Sequence, residues 1–569
     1  MKNLLKPIKS KIPQIILVIV FLIAQAYCNL TLPSYTADIV NVGIQNADIN
    51  YIWDTGMKML LMVAISVFAA VFISYFSSRI SSGYAKDLRK LVYRKVLKFS
   101  NHELNNISRS SLITRTTNDI NQIQNVIGVI LITMLFAPIL GVGSIIKAFE
   151  LGTDLSWIIL VTFIIVATLL VIIMMKVIPY FKLTQEITDK INQTTREILI
   201  GIPVIKAFVR QDSERKKFGK TNKELLDVNL HVFRTMFILL PAMTLVLNLM
   251  IVLILYFGAY DALNSSILTG DIIAFIQYST QIVTSFILMG GFLIILPRLL
   301  VSGRRVAEVL NTEITITDGE NTEISKNPTL EFKNVCYKYP GSEKETLKDI
   351  NFTLKPGKTT AIIGGTGSGK STILNLIPRL QDPTSGEILI DNKNIKNFNL
   401  KTLRERISFT PQKAILFQGT VKSNMLVGKG DACNKEIENA LNLAQVDFID
   451  SIDDEVTQEA SNFSGGQKQR LSIARAIIGK HSFYLFDDCF SALDMNTEAK
   501  VKNNLSQLAK DSSILIVSQR ISTIKDADEI IVIDAGKIID KGTHDELNRS
   551  CDIYHEIVKS QIDNMEAKL

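Results

Sequence analysis

Thr360-Ala361-Ile362-Ile363-Gly364-Gly365-Thr366-Gly367-Ser368-Gly369-Lys370-Ser371 reads as a buried apolar strand, a glycine-rich loop and the opening of a helix, because Thr372 and the apolar run 373–380 follow directly. Glycines leading into Lys-Ser between a strand and a helix wrap main-chain N–H groups around phosphate oxygens at the helix N-terminus. In that loop Lys370 meets the outer phosphates and the Ser371 hydroxyl is a ligand for Mg2+, so the stretch predicts an α/β domain that binds a nucleoside triphosphate. Further along, Ser482-Phe483-Tyr484-Leu485-Phe486-Asp487-Asp488 is an apolar strand ending on two carboxylates, which places Asp487 near the metal of such a site. Between them, Ser464-Gly465-Gly466-Gln467 precedes the helical run 471–478. A Ser-Gly-Gly helix opening is either a second phosphate-binding geometry or a plain helix cap, and pattern alone does not choose. Upstream, 329–339 alternates as a strand does and ends on Tyr339, an aromatic placed to stack on a base or simply exposed.

Outward from this domain the composition changes. Charged residues make up 21% of the 569, yet mean hydropathy is +0.23, so apolar and charged residues are segregated along the chain. Six stretches approach the roughly 20 apolar residues that span a bilayer: 13–32, 57–76, 126–149, 155–175, 236–260 and 272–300. The loop after the second carries Arg79, Lys86, Arg89, Lys90, Arg94, Lys95 and Lys98, and the loop after the fourth carries Arg196, Lys206, Arg210, Arg215, Lys216 and Lys217, so both are expected in the cytosol. The loops 34–56, 152–154 and 261–271 contain aspartates and no Lys or Arg, and are expected outside. The net charge of +7 is then the charge of basic cytosolic loops rather than of a nucleic-acid binder. Five scattered cysteines give neither a disulfide framework nor a zinc site. The opening 1–9 reads as a basic segment along the membrane surface, without a signal-peptide cleavage pattern. Both cytosolic loops are helix-patterned, so the spans are expected to continue as stalks with tips at 99–104 and 208–212. Gln25, Asn248, Gln277 and Gln281 are polar at membrane depth and either contact a transported molecule or bond between helices.

These motifs, in this order and spacing, resemble the ABC ATPase family: Tyr339 as the adenine-stacking aromatic, Gly364 to Ser371 as Walker A, Gln412 as the Q-loop, Ser464-Gly465-Gly466-Gln467 within the signature, Asp487 closing Walker B and Ser491-Ala492-Leu493-Asp494 as the D-loop. Six spans ahead of them resemble the exporter subfamily. The resemblance implies a six-helix transmembrane domain (1–310), a linker (311–328) and an α/β nucleotide-binding domain (329–569), and Lys-, Ile- and Asn-rich usage without an Arg/Ser-rich transit peptide favours a multi-pass protein of a bacterial plasma membrane. It implies ATP and Mg2+ as ligands, with Ser371, Gln412 and Asp487 at the metal, and a dimer in which each ATP lies between one chain's Walker A and the other's signature. The stalk tips become transmission helices at 101–111 and 210–218, the second docking on the partner.

Two residues depart from the family pattern. The catalytic glutamate after Walker B is Asp488, withdrawn by one methylene or roughly 1.3 Å, and a shift of about 1 Å can cost on the order of a hundredfold in rate. The switch histidine is Gln519, which can hydrogen-bond a phosphate but cannot take a proton. Gln458 also stands where many exporters carry a glutamate. These departures point to a degenerate site and to a second ABC half-transporter as partner, a heterodimer rather than a homodimer, exporting small amphipathic or lipophilic compounds. A homodimeric exporter, an importer of metal chelates and a nucleotide-gated channel are the alternatives.

Overall fold

In hydrocarbon a backbone that leaves its N–H and C=O groups unpaired is untenable, so long apolar runs form helices that satisfy them internally. The computed structural model describes residues 2–151, 155–263 and 267–566; Met1, the expected outer loop at 152–154 and part of that at 261–271 lie outside this set. Among the described residues six helical stretches are long and apolar enough to cross a bilayer. In chain order the helices of the first 311 residues are α1 (Lys2–Lys9), α2 (Ile12–Asp38), α3 (Ile49–Val96), α4 (Asn101–Asn106), α5 (Arg109–Thr116), α6 (Asn118–Val129), α7 (Phe136–Glu150), α8 (Ser156–Ala207), α9 (Gln211–Phe237), α10 (Leu239–Leu263) and α11 (Thr269–Asn311). A helix of 52 residues such as α8 is about 78 Å long at 1.5 Å per residue, more than twice a bilayer core. The excess is the expected stalk. The outer turn is shorter than the loop expected at 34–56: a wider π-type turn carries the helix on to Ile44, and Asp48 caps α3 by accepting from the Tyr51 N–H at 3.0 Å.

By its contacts the chain divides into two units, Met1–Leu97 with Ser110–Thr312, and Lys98–Arg109 with Glu313–Leu569. Within the first, polar side chains at membrane depth find each other. Ser144 donates to Gln281 Oε1 at 2.8 Å, Gln281 Nε2 donates to the Asn29 carbonyl at 3.1 Å, and Ser66 donates to Asn29 Oδ1 at 3.0 Å. Gln281 is therefore bonded between helices, as an amide at membrane depth is expected to be.

The second unit holds the strands β1 (Leu330–Tyr337), β2 (Leu347–Leu354), β3 (Thr359–Ile363), β4 (Ser385–Ile390), β5 (Lys393–Asn394), β6 (Ile407–Thr410), β7 (Gly419–Thr420), β8 (Glu455–Val456), β9 (Phe483–Asp487), β10 (Ser513–Val517), β11 (Glu529–Asp534) and β12 (Lys537–Gly542). Its helices include α12 (Lys370–Leu376), α13 (Leu400–Glu405), α14 (Val421–Gly428), α15 (Asn434–Leu443), α16 (Gly465–Ile477) and α17 (Met495–Leu508). A six-stranded sheet runs β12-β11-β3-β10-β9-β6, parallel except for the edge strand β12, beside an antiparallel sheet β2-β1-β4-β5. The central strands β3, β9 and β10 are buried almost throughout, which is why they read as continuous apolar runs rather than alternating ones. The segment expected as a linker is bonded along this unit: the Gly319 and Asn321 N–H groups donate to the carbonyls of Phe398 and Asn397, and Asp318 accepts from the Leu400 N–H at 2.7 Å. A polar linker still has backbone groups that need partners, and the 397–400 turn supplies them here.

Candidate functional site

The glycine-rich loop leaves the C-terminal end of β3, between β11 and β10, and enters α12 at Lys370. Open parallel sheets bind ligands at this end of their strands. Gly369 has φ +100°, and a Cβ there would lie 2.5 Å from Leu347 Cδ2, so only glycine lets the loop close onto the strand beside it. Lys370 is 8% exposed and reaches back over its own loop, its Nζ donating to the carbonyls of Gly364 at 2.8 Å and Gly365 at 2.7 Å. Burial pulls its pKa below the usual lysine value, opposed by the negative charges of Asp488 and Asp487.

Strand β9 delivers the two carboxylates to the same place. Asp487 Oδ1 accepts from the Ser371 hydroxyl at 3.1 Å, so two of the three expected metal ligands already touch. Gln412, the third, gives its amide to Asp488 Oδ2 at 3.3 Å. Asp488 sits in the left-handed region at φ +44°; its N–H donates to the Val517 carbonyl at 2.8 Å, and its own carbonyl accepts from the Ser491 hydroxyl at 2.8 Å. Among the described residues its Oδ1 is buried without a hydrogen-bond partner. Burial raises the pKa of both aspartates above the ordinary carboxylate range, against the bonds from Ser371 and Gln412 that favour their charged forms. Gln519 is exposed at the end of β10, where the switch residue is expected.

Tyr339, Thr366, Gly367, Gly369, Lys370, Ser371, Thr372, Gln412, Asp487, Asp488 and Gln519 line one cavity of about 320 Å³. Ser464, Gly465, Gly466 and Gln467 are not among its lining residues. They open α16, where the Ser464 hydroxyl accepts from the Gln467 N–H and Gln467 Oε1 accepts from the Ser464 N–H at 2.8 Å. Ser464 and Gly465 are exposed, leaving the start of α16 facing outward from this chain. Gly466 is held close to the segment after β9: a Cβ there would meet the Ala492 carbonyl at 2.8 Å.

Residues 15–286 match the model of the ABC transporter transmembrane region, and 347–491 match the ABC transporter model. An uncharacterized ABC transporter ATP-binding protein of Mycobacterium tuberculosis is 36% identical over 542 residues, 94% of this chain and 93% of its own length. The chain belongs to the ABC transporter family. A putative multidrug export ATP-binding/permease protein of Staphylococcus aureus is 31% identical over 89% of each chain. The solved structure of a bacterial Atm1-family ABC exporter with ATP bound shares the fold at a TM-score of 0.82, with 22% identity over 97% of this chain and 98% of that one. The transporter is an ATP-hydrolysing, multi-pass plasma-membrane protein with a cytosolic nucleotide-binding domain, and as a half-transporter it pairs with another ABC subunit.

Sequence reasoning on this transporter missed Thr346, which lines the cavity without belonging to any motif, and gave no role to Val517, which lines it two residues before Gln519. It also passed over Gln469, 6% exposed, whose Nε2 donates to the Gln412 carbonyl at 2.6 Å and so links α16 to the Q-loop. Position Gln469, five residues past Ser464 in a helix with a buried face, was the signal available. Tyr339 lies two residues beyond β1, edge-on to Tyr337 at 4.9 Å, its hydroxyl 3.1 Å from that of Thr372. Base stacking on an aromatic is worth about 1–3 kcal/mol. Tyr339→Ala is therefore expected to weaken Mg-ATP binding by roughly tenfold or more, while Tyr339→Phe, which keeps the ring, changes it little; equilibrium binding to the purified transporter checks both.

Proposed function

We propose that this chain is the degenerate half of a heterodimeric exporter of small amphipathic or lipophilic compounds. Its P-loop cavity takes ATP opposite the partner's signature, and Ser464 to Gln467 complete the partner's site. Supporting this reading, the P-loop cavity and the opening of α16 do not converge within one chain.

The observation that carries the degenerate site is the pinned backbone of Asp488. Its N–H and C=O are both bonded, and its side chain is held by Gln412. The main chain cannot advance to make up for the missing methylene, so the carboxylate stands back from the oxygen it would deprotonate. Gln519 holds a phosphate oxygen by hydrogen bond but offers no positive charge and no proton. Lys370 neutralises the outer phosphates, and the N-terminus of α12 adds its dipole. The donor set fits Mg2+: Ser371 and Asp487 are already 3.1 Å apart, all ligands are oxygen, and Gln412 lies beside them. When bound there, the ion neutralises charge developing on the phosphates.

ATP turnover by this chain purified alone, and by the same chain co-expressed with a half-transporter encoded beside it, tests the proposal. The expected result is negligible turnover alone and robust turnover in the pair, abolished by changing the partner's catalytic glutamate and insensitive to Asp488→Asn. Strong turnover from this chain alone would make the homodimer the working protein.

A further inference from the structure

The chain passes between its two units at three points, after Leu97, after Arg109 and after Thr312. On either side of the last two crossings the two passing segments are tied together. In the nucleotide-binding unit, Glu103 of α4 is 1% exposed, and its carboxylate accepts four hydrogen bonds. The Ser100 N–H and hydroxyl donate to one oxygen, both at 2.5 Å, and the Thr315 N–H and hydroxyl donate to the other at 3.0 and 2.7 Å. The two bonds from Ser100 are local, the one from its N–H being half of a capping box. Those from Thr315, 212 residues away, have no local purpose. Burial works against the charge of Glu103, but the four donors prevail and hold its pKa below the usual carboxylate value. In the same unit the Asn101 N–H donates to the Leu380 carbonyl at 3.2 Å, anchoring the tip close after α12.

In the membrane unit the same two segments are tied again. Arg115 of α5 pairs with Glu308 of α11 at 2.9 Å and donates to the Arg305 carbonyl at 3.2 Å. Ser302 donates to Asp119 of α6 at 2.8 Å, both side chains being buried.

We propose that Glu103 is a positioning residue for coupling: by clamping the first stalk tip to the segment leaving α11, it makes two covalent crossings act as one strut, so that movement of the nucleotide-binding unit reaches α6 and α11 together. The proposal rests on the reading that ATP binding drives the membrane helices between two arrangements. Charge-assisted bonds to a buried carboxylate are the stronger kind, and losing the acceptor takes away the partner that the Ser100 and Thr315 N–H groups share across the two segments. The clamp is therefore stiff where the chain would otherwise hinge.

The test uses the full-length transporter, with its partner subunit where it purifies with one, in lipid nanodiscs. Amide hydrogen exchange is compared without nucleotide and with Mg-ATP plus vanadate. In the wild type, ATP is expected to change exchange both at 360–372 and at the outer ends, 34–49 and 267–278. In Glu103→Ala the change at 360–372 should persist and that at the outer ends should be lost. The hydroxyls of Ser100 and Thr315 lie 3.2 Å apart, so cysteines at both positions are within reach of a disulfide. Adding Ser100→Cys and Thr315→Cys to Glu103→Ala should restore the outer response when oxidised and lose it again on reduction, which a merely stabilising role would not do reversibly. An outer response intact in Glu103→Ala, or one that the formed disulfide fails to restore, overturns the clamp alone. A wild type whose nucleotide site answers ATP while its outer ends do not overturns the switching reading and the clamp with it.

Discussion

Asp488→Glu is expected to raise the rate of ATP hydrolysis at this chain's own site by about ten- to a hundredfold, the size of effect a shift of roughly 1 Å in a catalytic group produces. The added methylene extends the carboxylate from a backbone that the Val517 and Ser491 bonds hold still, so the gain in reach is delivered into the cavity rather than absorbed by the main chain. Room exists for it, because the side chain borders a cavity of about 320 Å³. Against the gain stands the backbone. Aspartate tolerates φ +44° better than most residues, since its short side chain can bond locally, and glutamate loses part of that tolerance. The cost is on the order of 1 kcal/mol and falls on folding, whereas the gain falls on the transition state. Single-turnover hydrolysis of Mg-ATP by the purified transporter separates the two, because it reads the chemical step independently of how much protein survives purification. A substitution that binds ATP as before and leaves the rate unchanged would mean that reach does not limit this site. Adding Gln519→His should then raise the rate further only if a charged switch residue is what is missing.

Much of the architecture was legible because bilayers and phosphates impose lengths and residue types. Six apolar stretches could be counted against a fixed thickness, and Gly369-Lys370-Ser371 admits one loop geometry. What escaped notice has a common physical character: it depends on partners far apart in sequence. Ser100-Asn101-His102-Glu103 is recognisable as a capping box, but that Glu103 also holds Thr315 cannot be seen from either segment. The polar composition after Asn311 predicts a linker but not which carbonyls its N–H groups find. From sequence Gln281 serves a substrate or a neighbouring helix equally well, and the placement of Ser144 and Asn29 gives it helix partners. The site was legible in its residues and less so in its strain. That Asp488, just after β9, is shorter than the family's glutamate could be read directly, while the bonds to Val517 and Ser491 that hold its backbone, and its positive φ, could not.

Lys370→Ala is expected to remove the stabilisation that ATP confers on this chain. Ligand at a hundredfold excess over its Kd stabilises the folded state by about 2.7 kcal/mol, so the wild type should melt several degrees higher with saturating Mg-ATP, and the variant should not shift. Two effects of the substitution must be told apart. Lys370 donates to the Gly364 and Gly365 carbonyls, and its loss leaves these acceptors unpaired at a cost of about 1–3 kcal/mol. That penalty appears without nucleotide and lowers the melting temperature of the apo protein. The loss of phosphate binding appears only as the missing difference between melts with and without ATP. Lys370→Arg keeps the charge but carries a larger, planar head in a place only 8% exposed, so it is expected to restore part of the apo stability and little of the ATP shift. A variant Lys370→Ala that still gains the full ATP shift would place nucleotide binding elsewhere in the chain, and the P-loop reading on which the whole site rests would fall.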